Sequence, residues 1–360
     1  MELSYKNKLS YEDVLLKSEN YNAFNDISLN SCLILGDNFN ALSSLLKTHK
    51  GKIDLIYIDP PFNTNQVFMV TDNRKNAVSR SKNSVIAYSD NLSREDFLEF
   101  IRERLVLLRE LLSEKGSIYL HIDTKVGHYI KILMDEVFGA NNFKNDITRI
   151  KSNPKNFSRS AYGNEKDVIY FYAKNYAKNI WHEVKVPIDK EEMEKKFPKI
   201  DKDGRRYTTI PLHAPGESNG ITGKPWRNMN PPEGRHWRTN PSKFDRLDSL
   251  GLIEWSSNGN PRIKKYADEH KGKKMQDVWK FKDPQSPLYP TEKNLEMLKF
   301  IIEQSSNQDS IVLDCFCGSG STLLAAEELG RKWIGIDSSR IAIDTIKKER
   351  PLKKYQYYEC

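Results

Sequence analysis

Cysteine is scarce in this chain: Cys32, Cys315, Cys317 and Cys360 are the four among 360 residues. So few, and so unevenly spaced, they form neither the disulfide framework of a secreted domain nor the paired C-x-x-C arrangement of a zinc site. A reducing cytoplasm is the expected compartment, and no metal is expected. Long apolar runs are missing too. Met1 to Lys17 mixes charges with aromatic rings, and no later stretch approaches the ~20 residues that a spanning helix needs, so a soluble, unexported protein away from membranes is expected. Neither an internal repeat nor a low-complexity tract is found.

Charge and short apolar blocks are what the sequence has in quantity. Its 57 Lys+Arg against 49 Asp+Glu give +8 and a pI near 9.0, which favours a polyanionic partner, although an ordinary solvated surface meets the same balance. With 38% hydrophobic residues the chain can bury one large α/β core and a smaller second one. Cys32 to Leu35 and Ile53 to Ile58 read as buried parallel strands. From Ser93 to Lys115, apolar residues at Phe97, Phe100, Ile101, Leu105, Leu108, Leu111 and Leu112 keep the spacing of an amphipathic helix that Gly116 stops. Strand Ser117 to Ile122, helix Gly127 to Phe138, and strands at Ile147 and Val168 to Tyr172 follow. Such alternation predicts a parallel sheet covered on both faces.

The character changes between about Ala173 and Pro287. Proline and glycine punctuate, periodicity fades, and Trp181, Trp226, Trp237, Trp255 and Trp279 all fall there. The predicted organisation is therefore an extension over 1–30, an α/β half over 31–173, a separate module over 174–287 and a second α/β half over 288–360. That last half carries a helix at Glu292 to Gln304, strand Ile311 to Asp314, helix Thr322 to Leu329, strand Trp333 to Asp337 and a terminal helix from Ser339.

Asp314-Cys315-Phe316-Cys317-Gly318-Ser319-Gly320-Ser321-Thr322 follows a strand and opens a helix. Its glycines let the backbone turn sharply and approach a ligand, and the helix start offers unpaired amides. Asp337 closes the next strand, where a carboxylate can take two ribose hydroxyls. Leu323 stands where a dinucleotide turn would have its third glycine, and Asp314 suits a cationic nucleoside ligand such as S-adenosyl-L-methionine better than a pyrophosphate. The bland alternative is a glycine turn with no ligand.

Asp59-Pro60-Pro61-Phe62 ends another buried strand, at the edge where α/β sheets bind ligands. An exocyclic base amine is a poor nucleophile because its lone pair is delocalised into the ring. Asp59 can accept one amine hydrogen and the Pro60 carbonyl the other, which favours a pyramidal nitrogen. Pro61 stiffens the turn, and Phe62 can stack on a base rotated out of the duplex. A rigid turn with an incidental acid is the competing reading.

Leu55 to Thr64, Tyr289-Pro290-Thr291-Glu292-Lys293 and the stretch from Val312 to Asp337 together resemble the bacterial amino-methyltransferases of DNA, in their permuted beta group. The modification subunits of type II and type III restriction systems are the nearest flavour. The resemblance implies a Rossmann-like, S-adenosylmethionine-dependent methyltransferase fold with a mostly parallel seven-stranded sheet, permuted, and an inserted target-recognition domain. Within the cofactor site it implies that Asp314, Phe316, Gly318 and Gly320 wrap the methionine part and Asp337 the ribose. Asp37 and Asn38 lie beside the adenine, and Thr291 and Lys293 near the amino-acid end. Cys315 replaces a frequent proline of the family, and Phe62 a frequent tyrosine. In that family an aspartate at the first catalytic position points to N6 of adenine and a serine to N4 of cytosine.

The resemblance further makes duplex DNA the expected substrate, with a restriction endonuclease subunit or a second copy of the chain as partner. Lys224, Arg227, Arg235, Trp237 and Arg238 in the middle module are the expected DNA contacts, cations for phosphates and a ring for bases. Asn63 to Asp90, long and polar, reads as a loop over the DNA. His121 reads as a hydrogen-bonded core histidine, and Cys315 and Cys317 as small buried residues. Transfer to cytosine N4 and a DNA-binding subunit without catalysis remain the alternatives, whereas the absence of any Pro-Cys dipeptide argues against methylation at cytosine C5.

Overall fold

A computed structural model of the chain describes residues 2–21, 24, 27, 30–61, 67–70, 85–89, 92–153, 160–287, 289 and 292–360, with 67–70 and 85–89 by backbone alone. Two compact units divide it: Met1–Val184 with Met275–Cys360, and Lys185–Lys274.

The larger unit is built on one sheet, whose strands are β1 (Cys32–Leu35), β2 (Ile53–Ile58), β3 (Leu112–Ile122), β4 (Phe143–Ile150), β5 (Lys166–Ala173), β6 (Val278–Trp279), β7 (Ile311–Asp314), β8 (Lys332–Asp337) and β9 (Gln356–Glu359). The order across this nine-stranded sheet is β6-β4-β5-β3-β2-β7-β8-β1-β9. Pairing is parallel except where β5 runs against β3 and β4. The expected seven strands are thus its body, β4 to β1, and short edge strands extend it on either side. Every residue of β1 and β7 is buried, the outcome for strands covered on both faces.

Around the sheet lie α1 (Tyr11–Glu19), α2 (Asn38–His49), α3 (Arg94–Leu111), α4 (Thr124–Met134), α5 (Leu295–Ser305), α6 (Ser321–Glu328) and α7 (Arg340–Glu349). Side chains cap several of them: Asp37 accepts from the Asn40 amide, Ser93 from Asp96, and Asn294 from Met297, each cap being worth about 1 kcal/mol. α3 buries Phe97, Ile101, Leu105, Leu108 and Leu111, the stripe read from the sequence. It stops four residues before Lys115 because Leu112 already pairs with Ile53 of β2, so sheet pairing overrides the helical spacing. No helix among the described residues is long and apolar enough to cross a membrane.

The smaller unit has an antiparallel four-stranded sheet in the order Ile253–Trp255, Pro261–Tyr266, Arg206–Pro211, Lys199–Ile200, beside a two-stranded ladder of His213–Pro215 with Arg235–Trp237. Leu212, Trp226, Trp237, Phe244, Ile253 and Ile263 form its core. Its limits, Lys185 and Lys274, are narrower than the 174–287 read from composition. The flanks belong to the larger unit for a packing reason: Trp181 stacks on Phe171 of β5 at 5.8 Å, and Trp279 lies in β6.

Candidate functional site

β2, β7 and β8 are neighbours and run the same way, with Val312 opposite Leu55 and Asp314 opposite Gly335. Their carboxyl ends therefore bring Asp59, Asp314 and Asp337 to one sheet edge. A cavity of about 250 Å³ opens there, lined by these three acids together with Asp37, Asn38, Tyr57, Pro61, Phe100, Tyr289, Glu292, Lys293, Phe316 and Gly318 among others. Residues more than 200 positions apart in sequence meet in it because β7 and β8 fill the space between β2 and β1.

The glycine turn has the geometry its composition asks for. Gly318 and Gly320 adopt φ of 49° and 75°, left-handed values that disfavour a side chain. A Cβ on Gly320 would come within 2.8 Å of Ile346, so this glycine serves the packing of α7, and it does not line the cavity. The Asp314 carboxylate accepts from the Phe316 amide at 3.0 Å. Asp337 accepts from the amides of Gly318 and Ser339, both at 2.8 Å, and so shapes the turn as well as the cavity wall.

Burial pushes the Asp314 carboxyl up to about 7, with Asp59 and Asp337 adding to the rise against hydrogen bonds from Thr322 and Phe316. Burial raises Asp337 as well. Carboxyls gathered away from water in this way favour a positively charged ligand. Cys315 and Cys317 flank the turn, and burial pushes both thiols well above their ordinary value, the behaviour of small core residues rather than nucleophiles.

Asp59 stands just beyond β2. Its Oδ2 pairs with Nζ of Lys293 at 2.5 Å, both side chains being largely buried, while its Oδ1 is buried without a hydrogen-bond partner among the described residues. Lys293, expected near a cofactor's amino-acid end, thus lines the same cavity but holds the strand-end aspartate. Pro60 is buried and Pro61 reaches the cavity wall. Phe62 and Thr291 lie outside the described residues, as does most of Asn63 to Asp90, of which Val67–Val70 and Val85–Ser89 form an antiparallel pair.

The corner at Asp37 and Asn38 is braced by a residue the sequence reading passed over. Arg104 of α3 donates from Nε to Asn38 at 2.7 Å and from Nη2 to Asp37 at 3.2 Å, and its guanidinium lies 3.6 Å from the Phe100 ring centroid. Asn38 in turn donates to the Cys315 carbonyl at 2.9 Å. The place of Arg104 one turn after Phe100 and one before Leu108, shared in burial by the neighbouring Arg102, was the one faint signal.

Beneath the site runs a second polar chain. His121 lies between two polar groups, its Nε2 3.0 Å from the Asp167 carboxylate and its Nδ1 2.8 Å from the Tyr57 hydroxyl. Arg149 reaches the same Asp167 at 3.3 Å, and also Asp283 and the Phe281 carbonyl. Burial opposes ionisation of Asp167, yet His121 and Arg149 outweigh it and hold the carboxyl at about 2. Glu292, also on the cavity wall, is paired with Arg350, which donates to the Ser319 carbonyl at 2.8 Å.

In the smaller unit the expected DNA contacts separate. Lys224, Arg235 and Arg238 are exposed. Arg227 is tied to Asp245 and Asp248 at 2.8 and 2.6 Å. Trp237 is 3% exposed, packs on Phe244 and donates to the Lys224 carbonyl. It builds the core and presents no ring to a base, a correction to the sequence expectation, which rested on composition without knowledge of burial.

Comparison with known proteins fits this geometry. The profile of a family described as DNA methylase matches residues 53–348. The type II methyltransferase M.EcaI of Enterobacter cloacae is 41% identical over 96% of this chain and 76% of its own length. The Mod subunit of the type III restriction-modification enzyme StyLTI of Salmonella typhimurium is 26% identical over 88% of this chain, which spans 51% of that subunit. Among solved structures, the PvuII DNA methyltransferase, described as cytosine-N4-specific, covers 91% of this chain with 95% of its own at 12% identity and a TM-score of 0.48.

Proposed function

Since this chain belongs to the DNA methylase family and is a DNA methyltransferase, we propose that it methylates N6 of an adenine turned out of duplex DNA, within a restriction-modification system. The observation that carries this reading is Asp59: one carboxylate oxygen engaged, the other buried beside Pro60 and Pro61 with no hydrogen-bond partner among the described residues. An amine hydrogen fits that vacant acceptor. The Pro60 carbonyl takes the second hydrogen, and the nitrogen lone pair is freed from the ring to act as nucleophile.

S-adenosyl-L-methionine supplies the electrophilic methyl carbon when bound. The residues present fit it: the raised, buried carboxyl of Asp314 faces a cation, and Gly318 opens the turn for close approach. Asp337 and the braced Asp37–Asn38 corner suit the nucleoside. No covalent enzyme intermediate is needed, since the two acceptors only orient the amine. Asp59 at the first catalytic position supports adenine over cytosine. The unit Lys185–Lys274 is the reading head for the recognition sequence, and Lys224, Arg235 and Arg238 are its candidate phosphate contacts.

The test is methylation of mixed-sequence duplex DNA with labelled S-adenosylmethionine, followed by nucleoside analysis. N6-methyladenine in the product, and a loss of more than about 1,000-fold in Asp59→Ala with cofactor affinity retained, is the expected result. N4-methylcytosine as the product would overturn the target base, and an active Asp59→Ala the mechanism.

A further inference from the structure

The carboxyl edge of the sheet poses an electrostatic problem that the catalytic reading leaves unanswered. Asp59, Asp314 and Asp337 end three adjacent parallel strands and share one cavity. Like charges so close, with little water between them, drive protons onto the group least compensated. Repulsion from Asp314 and Asp337 would also turn an unanchored Asp59 side chain away from the cavity in which it must meet the amine.

The groups around Asp59 are few. Tyr57 precedes it on β2, Asp314 faces it from β7, and Lys293 meets it from the segment before α5. Behind Lys293 lies Asp167 of β5, which feels the lysine's charge, and with it His121 of β3 and Arg149 of β4. Asp167 has its own cations in Arg149 at 3.3 Å and Lys151 at 3.9 Å, and His121 Nε2 lies 3.0 Å away. Lys293 is thus the cation in direct contact with Asp59, with side-chain exposures of 10% and 14% for the pair, too little water to screen it strongly.

We propose that Lys293 is a positioning residue for methyl transfer: by gripping Oδ2 it holds the Asp59 side chain turned so that Oδ1 meets the target amine. The inference rests on the reading of Asp59 as the amine acceptor. It differs from the cofactor-end role that the family resemblance implies, because in that role the ammonium would serve the ligand's carboxylate and leave Asp59 alone.

Kinetics of Lys293→Met, Lys293→Arg and Asp59→Asn decide between them, with the cofactor dissociation constant measured by calorimetry and folding checked by thermal unfolding. If Lys293 positions Asp59, Lys293→Met lowers kcat by about 100-fold, as expected for a misplaced catalytic group, and leaves the S-adenosylmethionine Kd within about threefold. Lys293→Arg, which keeps the cation, recovers to within about tenfold of wild type. A Kd raised more than tenfold with kcat intact at saturating cofactor, or a Lys293→Arg variant no better than Lys293→Met, overturns the proposal. Should Lys293→Met fail to fold, Lys293→Arg bears the test through its own kcat and Kd: a Kd defect with unchanged kcat refutes positioning, and a kcat defect with unchanged Kd supports it. Asp59→Asn separates the two layers, since wild-type turnover in that variant refutes the catalytic reading itself rather than the lysine's part in it.

Discussion

Tyr57 and His121 share a hydrogen bond of 2.8 Å inside the protein, the tyrosine 1% and the histidine 0% exposed. The bond ties the strand that ends at Asp59 to its neighbour β3, and through Asp167 to β5. The three strands are thereby joined by side chains as well as by backbone ladders, just below the cavity.

His121→Leu tests what that bond does. The substitution leaves Asp167 without its imidazole and Tyr57 without an acceptor, both out of reach of water. A loss of about 2–4 kcal/mol in urea unfolding is expected, because Arg149 at 3.3 Å and the more distant Lys151 at 3.9 Å are then left to compensate the buried carboxylate. A change under about 0.5 kcal/mol would show that the chain adds nothing to stability.

On the proposed reading, Asp314 is expected to make cofactor binding depend on pH. Its carboxyl, at about 7 in the folded protein against an ordinary 3.8, is neutral in much of the empty protein below neutrality, whereas a sulfonium ligand prefers the anion. Affinity for S-adenosylmethionine is expected to be about tenfold weaker at pH 6 than at pH 8, with a flatter profile for S-adenosylhomocysteine, which lacks the sulfonium. The sign for stability is opposite. A carboxyl raised by folding favours the native state at low pH, and that contribution is lost as pH rises from about 4 to about 7. Asp314→Asn should therefore flatten the pH dependence of unfolding in the cofactor-free protein while weakening cofactor binding. Calorimetry and thermal unfolding across pH check both.

The arginines of the smaller unit are expected to divide by their partners. Arg235→Gln and Arg238→Gln remove exposed cations with no carboxylate partner among the described residues. Each should reduce the slope of log affinity for DNA against log salt by about 0.9 for every phosphate that the arginine neutralises in the wild type. Arg227→Gln should instead lower the unfolding midpoint, because its guanidinium bridges Asp245 and Asp248. An unchanged salt slope in the first two variants would remove them from the DNA interface.

Much of the larger unit was legible because its signals are local. Strand β7 and the glycine turn lie in one stretch, and the run from Ile53 to Asp59 needs no partner to be recognised. Amphipathic α3 was equally plain, although its end was not, since Leu112 is claimed by a strand nearly 60 residues earlier. What escaped were side chains whose role exists only in three dimensions. Arg104 looks like any helix arginine until Asn38 and Phe100 surround it, and Lys293 gave no sign that its partner would be Asp59. Composition misled where burial decides: Trp237 seemed a stacking ring and proved to be core.

The order of strands sets a condition on how the protein comes into being. β1 and β2 leave the ribosome early, yet they are not sheet neighbours, and the two strands that belong between them are made more than 250 residues after β2. In the meantime the inner edges of β1 and β2 lack their mates and invite pairing with other chains. Such distant closure is slow, so an emerging polypeptide can own Asp59, its prolines and the whole smaller unit and still lack the cavity that Asp59 and Pro61 line. The cavity exists only once β7 and β8 stand between β2 and β1.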